Sequence, residues 1–159
     1  MIVSLDATVL NTDSSSFRRM LHYAEGTDGL FVLVLGAGSK EAILGANLYI
    51  RRFGGSNKIS AFINTLLGGR KFVGDFKPSV ISSQDPFFAG FIAKRLARKV
   101  KARLVVELHG DFWPEDPKLH PSFLRNFIAR RVLRKAYIIR TVSEKVKIGL
   151  FNKFPDLKE

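Results

Sequence analysis

The sequence contains no cysteine. Disulfides, thiol nucleophiles and cysteine-ligated metals are therefore excluded, and a reducing compartment is permitted. No apolar run approaches the roughly 20 residues that a membrane-spanning helix needs. The first residues, Met1-Ile2-Val3-Ser4-Leu5-Asp6, lack the basic region of a secretory leader and read as an immediate strand. The expectation is a cytoplasmic protein. Internal repeats, low-complexity tracts and long linkers are also missing, and no His/Asp/Glu spacing suits a metal. Zinc-finger, helix-turn-helix and RNA-recognition signatures are absent, so nucleic acid is not the expected partner. Acidic residues are scarce, 14 against 26 Lys and Arg, which leaves a net charge of +12.

At 159 residues, 46% of them apolar, the chain is long enough for one domain with a sizeable core. Most of the positive excess lies after Phe91, on segments that also carry Phe, Leu and Ile. Such a face attracts nucleic acid, anionic lipid or a phosphorylated ligand; a merely solvated surface is the plain alternative.

Periodicity gives about six strands alternating with helices. Residues 2–5 read as a strand and 6–16 as a polar loop. A short helix over 17–25 points Phe17, Met20, Leu21 and Ala24 inward. The continuous apolar run Leu30-Phe31-Val32-Leu33-Val34-Leu35 marks a parallel strand buried on both faces. Gly36-Ala37-Gly38-Ser39-Lys40 is not a nucleotide fingerprint. Glu41 stands where the third glycine of G-x-G-x-x-G belongs, and no Walker G-K-[ST] follows. It reads as a turn. Residues 47–53 suggest a strand nearer the sheet edge. A helix over 57–67 carries the stripe Ile59, Phe62, Ile63 and Leu66, with Gly54-Gly55 and Gly68-Gly69 as loops.

The most informative stretch is 79–114. A short strand from Val80 stops at the polar turn Ser82-Ser83-Gln84-Asp85-Pro86, where Asp85 is placed to cap a helix with Pro86 in its first turn. Phe88, Phe91, Ile92, Leu96 and Val100 form a helical stripe, with Lys94, Arg95, Arg98 and Lys99 on the other faces. Residues 104–108 are a β-branched-rich strand followed by His109-Gly110-Asp111-Phe112-Trp113-Pro114. Such a unit closes as a right-handed parallel crossover, and ligands of open parallel sheets bind beyond the carboxyl ends of the strands. Gln84, Asp85, His109 and Asp111 all fall at that edge. A basic amphipathic helix over 122–136, with Phe123, Phe127, Ile128, Val132 and Leu133 on one side, precedes a last strand over 137–142. Ser143 and Glu144 cap a final helix. The expected fold is α/β, a single Rossmann-like doubly wound parallel sheet with helices on both faces.

VISSQDPFFAGFIAKRLARK, then LVVELHGDFW, then AYIIRTVSEKVK, resemble in order and spacing the N-terminal half of a family 4 glycosyltransferase of GT-B fold. The likeness runs from about 79 to 147; before that it is one of topology. The resemblance implies an acceptor-binding domain over 1–159 that faces a C-terminal donor domain outside these residues. The implied reaction moves a sugar from a nucleotide-sugar to a lipid-linked or saccharide acceptor, with retention and without metal or other cofactor. It also implies that this chain alone is inactive. The alternative is a stand-alone basic Rossmann-like module that binds nucleotide, nucleic acid or anionic membrane without catalysis.

By the resemblance, His109 is the catalytic candidate, projecting near the transferred sugar; a loop histidine bonded to backbone is the plain alternative. Gln84, Asp85, Asp111, Phe112, Ser143 and Glu144 are candidates for the acceptor side. Asp85 is equally a helix cap, Ser143 and Glu144 equally caps, and Phe112-Trp113 equally a lid over the core. The family's glycine-rich donor loop corresponds here to residues 8–16, which hold no glycine. Ser14 and Ser15 are what remain there to meet a donor phosphate. Lys94, Arg95, Arg98 and Lys99, with Arg130, Arg131 and Arg134, form the expected contact with an anionic membrane surface, peripheral on the inner face of the cell membrane. His22 and His120 have no partner pattern.

Overall fold

The computed structural model describes residues 1–114, 116, 118 and 121–157, which leaves His120 outside. Among these residues one sheet holds seven strands: β1 (Ile2–Ser4), β2 (Leu30–Val34), β3 (Glu41–Leu44), β4 (Leu48–Arg52), β5 (Val80–Ser83), β6 (Arg103–Leu108) and β7 (Ile138–Thr141). Their order is β3-β4-β2-β1-β5-β6-β7. All neighbours are parallel except β3 and β4. The helices are α1 (Ser15–Glu25), α2 (Lys58–Phe76), α3 (Phe88–Val100), α4 (Phe123–Leu133) and α5 (Glu144–Lys153). The Rossmann-like α/β expectation holds.

Helices lie on both faces, but unequally. Val73 of α2, Ile92 and Leu96 of α3, Leu133 of α4 and Leu150 of α5 share one core with Val3, Ile81 and Val106 of the sheet. Among the described residues the opposite face is covered by α1 and the 3-10 turn over Ala7–Leu10, where Val9, Phe17 and Met20 meet Val32, Val34, Leu48 and Ile50. Each such fully buried Leu or Ile contributes about 1.5–3 kcal/mol.

Five expectations are corrected. First, there is a seventh strand: Glu41–Leu44 folds back antiparallel on β4 through a turn closed by Gly45 N–H on the Leu48 carbonyl at 2.8 Å. Its four residues are too few for a clear alternation, and an Arg52–Glu41 ion pair helps to hold it. Second, α2 does not stop at the glycines. It runs through Gly68-Gly69, because a Cβ on Gly68 would fall 2.2 Å from the Phe53 ring and close packing there requires glycine. The helix stops at Lys77, whose φ of 43 is left-handed, just before Pro78. Third, the buried stripe of α2 is Ala61, Thr65, Gly69 and Val73, while Ile59 and Ile63 are exposed. Small residues let α2 approach the sheet closely, while Phe62 and Leu66 of the expected stripe are partly buried and pack against the same core. Fourth, Leu21 of α1 and Phe123 and Phe127 of α4 are exposed, not inward. Fifth, Pro86 lies just before α3 rather than in its first turn.

Candidate functional site

The chain leaves β1 in one direction to build β2, β4 and β3, and returns beside β1 to build β5, β6 and β7 in the other. The reversal between β1 and β5 is the topological switch point, where loops diverge and a crevice opens at the carboxyl ends of the strands. Asp6 follows β1, Gln84 and Asp85 follow β5, and His109 follows β6. With Arg19 and Tyr23 of α1 they line a cleft of about 450 Å3.

The polar groups here are wired to one another. Nε2 of His109 lies 3.1 Å from Oε2 of Glu107, and Oε1 of the same carboxylate accepts from Ser82 Oγ at 2.7 Å. The contact is a close approach rather than an aligned hydrogen bond, and it sets the Glu107 carboxylate beside the Nε2 edge of the ring. The His109 side chain is about half exposed, at 48%. Ser4 Oγ and Gln84 Oε1 are hydrogen-bonded across β1 and β5, which fixes the Gln84 side chain.

Asp6 caps a 3-10 turn over Ala7–Leu10, accepting from Thr8 N at 2.9 Å, Thr8 Oγ1 at 2.6 Å and Ser16 Oγ at 2.7 Å. Partial burial disfavours its charge, but the bonds from Thr8 and Ser16 and the charge of Arg19 outweigh it. The carboxyl is held below the usual range.

Asp85 is the opposite case. It is 5% exposed, and Oδ1 accepts from Phe87 N at 2.6 Å. Oδ2 makes no hydrogen bond among the described residues. Burial raises its pKa, against the opposing pull of the Phe87 amide, the Arg125 charge and the amides of Ala89 and Gly90. Asp85 thus braces the turn before α3 and lines the cleft, but it is not the N-cap the sequence suggested: that position is Phe87, which makes no side-chain cap bond.

The other candidates are not gathered there. Asp111 lines a second cleft of about 670 Å3 with Trp113, Lys145 and Gly149, its Oδ2 3.9 Å from Lys145 Nζ. Phe112 packs edge-on against Phe87 at 5.1 Å, and Trp113, 5% exposed, donates from Nε1 to Asn126 at 2.7 Å. The pair closes over the core, the plainer of the two readings. Ser143 caps α5, accepting from Val146 N at 3.3 Å, and exposed Glu144 pairs with Lys147 at 3.3 Å. Ser14 caps α1, accepting from Phe17 N at 3.0 Å and donating to the Thr8 carbonyl at 2.7 Å; Ser15 is exposed beside it. None of these four serine and glutamate positions lines the His109 cleft.

The cationic residues cluster on the helical layer. Lys94 Nζ donates to the Arg131 carbonyl at 3.3 Å and Lys99 Nζ to the Arg70 carbonyl at 2.5 Å. Arg95 lies over Phe91 and Arg131 over Phe127, at 5.0 and 4.5 Å from the ring centroids. Arg130 and Arg134 share Asp156, at 3.4 and 2.7 Å. His22 is exposed and pairs with Glu25 at 3.2 Å.

Glu107, Asp6, Arg19 and Tyr23 were not singled out by sequence reasoning. A carboxylate inside the apolar run Leu104-Val105-Val106-Glu107-Leu108 was the available signal for Glu107. Nothing local marked Arg19 or Tyr23, which reach the cleft only because α1 packs beside β1. No helix of the described residues is long and apolar enough to cross a membrane.

The family described as glycosyl transferase 4-like domain matches residues 6–152, nearly the whole chain. No curated protein matches.

Proposed function

This chain belongs to the glycosyl transferase 4-like domain family, and on that footing we propose that it is the acceptor-side half of a retaining, metal-independent glycosyltransferase. Its partner is a donor-binding domain outside these 159 residues, which holds the nucleotide-sugar. The acceptor is lipid-linked or a saccharide. The observation that carries this reading is the His109–Glu107–Ser82 chain at the mouth of the switch-point cleft.

In this reading His109 meets the sugar. With the Glu107 carboxylate beside Nε2, Nδ1 is the ring nitrogen that meets a sugar hydroxyl, and the ring stands where charge develops near the leaving diphosphate. On the other walls of the cleft Gln84, its Oε1 taken by Ser4, supplies its amide N–H groups as donors, Asp6 an acceptor and Arg19 a cation. The family match supports a glycosyltransferase-type role; the geometry supports the choice of this cleft for the acceptor.

The basic faces of α3 and α4 would hold the domain against an anionic membrane carrying the acceptor, on the cytoplasmic side. Each basic residue near such a surface contributes on the order of 1 kcal/mol, screened by salt. Exposed Phe123, Leu124 and Phe127 add an apolar contact beside Arg130 and Arg131.

The test is a transfer assay on the complete gene product, with radiolabelled nucleotide-sugars and either a membrane lipid extract or soluble saccharides. Label should move into acceptor and should persist in EDTA. A reading frame that encodes no second α/β domain, together with no transfer from any nucleotide-sugar, would overturn the reading.

A further inference from the structure

A groove of about 600 Å3 lies at the opposite edge of the sheet from the His109 cleft, between the C-terminal ends of α3 and α4. Arg103, the first residue of β6, and Tyr137, just before β7, form its floor. Lys94, Arg98, Arg134 and Lys135 form its walls, and no carboxylate lines it. The seam is tied by Lys94 Nζ on the Arg131 carbonyl at 3.3 Å, and Arg103 is held over the Tyr137 ring at 4.6 Å.

Five cations in one recess are more than the fold itself requires. The ends of α3 and α4 present about half a negative charge each. Asp156 adds one more through its bond to Arg134 at 2.7 Å. An excess of about three positive charges is left. Arg98 and Lys135 make no ion pair among the described residues. Like charges at helical spacing, Lys94 with Arg98 and Arg131 with Lys135, are mutually destabilising. Lys94 registers the strain: partial burial and then Arg131, Arg95, Lys135 and Arg98 push its pKa down. An anion seated in the recess would relieve all of these at once.

We propose that this groove is a binding site for a phosphate group bearing two or more negative charges, a free diphosphate or the phosphomonoester headgroup of a lipid. Guanidinium forks from Arg98 and Arg103 suit bidentate contact with phosphate oxygens, while Lys94 and Lys135 act as point charges. The site shares Lys94, Arg98 and Arg134 with the membrane-facing surface proposed above, but it does not rest on glycosyl transfer.

The test is calorimetric titration of the chain with inorganic pyrophosphate at physiological salt, with amide chemical shifts read in parallel. Saturable one-to-one binding is expected, with the largest shifts around Arg98, Arg103 and Lys135. The Arg98→Gln/Lys135→Gln variant should bind at least tenfold more weakly, and an Arg18→Gln/Lys58→Gln control within twofold of wild type. Vesicles of phosphatidic acid and of phosphatidylglycerol, matched in total charge, separate the sources. Preference for phosphatidic acid that pyrophosphate competes away assigns the lipid headgroup; pyrophosphate binding without that preference assigns the free anion. Absence of saturable binding by the folded wild-type chain, shifts spread over the whole basic surface, or equal loss in the control variant would overturn the site. Equal pelleting with the two vesicles, none of it displaced by pyrophosphate, would overturn the headgroup assignment and leave only the diffuse membrane attraction.

Discussion

Nε2 of His109 and Oε2 of Glu107 are 3.1 Å apart, and the carboxylate is anchored in turn by Ser82 Oγ at 2.7 Å. The pair orients the one imidazole at the mouth of the switch-point cleft. In the neutral ring this favours the Nε2–H tautomer, which long-range 15N–1H spectra report directly. The wild-type chain should show a bare Nδ1. Glu107→Ala should give mixed tautomers, and Glu107→Gln, which can still accept through its amide oxygen, should retain most of the preference. Equal tautomer populations in wild type and Glu107→Ala would remove Glu107 from the account.

Asp85 should make the fold pH-sensitive. Burial raises its carboxyl above the unfolded value. The stabilising contribution of the protonated form is therefore complete below the unfolded pKa and is lost as pH rises through the folded one. Asp85→Asn has no such titration. Its melting temperature relative to wild type should therefore rise between pH 3 and pH 7. A difference that is flat, or falls, over that range would contradict the assignment.

Two glycines of α2 should respond in opposite directions to alanine. Helix propensity favours alanine by about 1 kcal/mol at either position. At Gly68 the new Cβ would meet the Phe53 ring at 2.2 Å, an overpacking that costs about 1–3 kcal/mol. At Gly74 the nearest neighbour is Lys99 Nζ at 3.8 Å. Denaturant melts should show Gly68→Ala less stable than wild type and Gly74→Ala equal or more stable.

Exposed aromatics on α4 predict more than charge in membrane contact. Phe123 is 88% exposed and Phe127 47%, and burying one such ring is favourable by about 1.5–3 kcal/mol. Phe123→Ser/Phe127→Ser should lower partitioning onto anionic vesicles at least tenfold in co-sedimentation. High salt should weaken the binding of both proteins. Equal pelleting of wild type with neutral and anionic lipid would contradict the electrostatic part.

The layout of the sheet was legible because its signals are local. The apolar run of β2, the buried pair Ile92 and Leu96 of α3, and the polar turns after β5 and β6 each follow from a few adjacent residues, whereas Phe88 of the same stripe is exposed. The continuation of α2 through Gly68-Gly69 was not legible, because its reason lies in the Phe53 ring from another element. The exposure of Phe123 and Phe127 was hidden in the same way: a stripe says which residues share a face, not what covers it. Within the site, His109, Gln84 and Asp85 were placed at the right edge by the strand-end rule. Asp111, only two residues beyond His109, turns into a different cleft, with its carboxylate bonded to Trp113 N at 3.3 Å. Glu107 carried a visible signal, a charge within an apolar strand, whose meaning emerged only when its neighbours across the sheet were known.

The most direct test of the central claim is kcat for sugar transfer by the complete gene product, wild type against His109→Ala, with folding verified by circular dichroism. The account predicts that kcat falls by at least about a hundredfold, the low end for loss of a positioned acid–base group. A variant that is folded and retains kcat within twofold of wild type would contradict it.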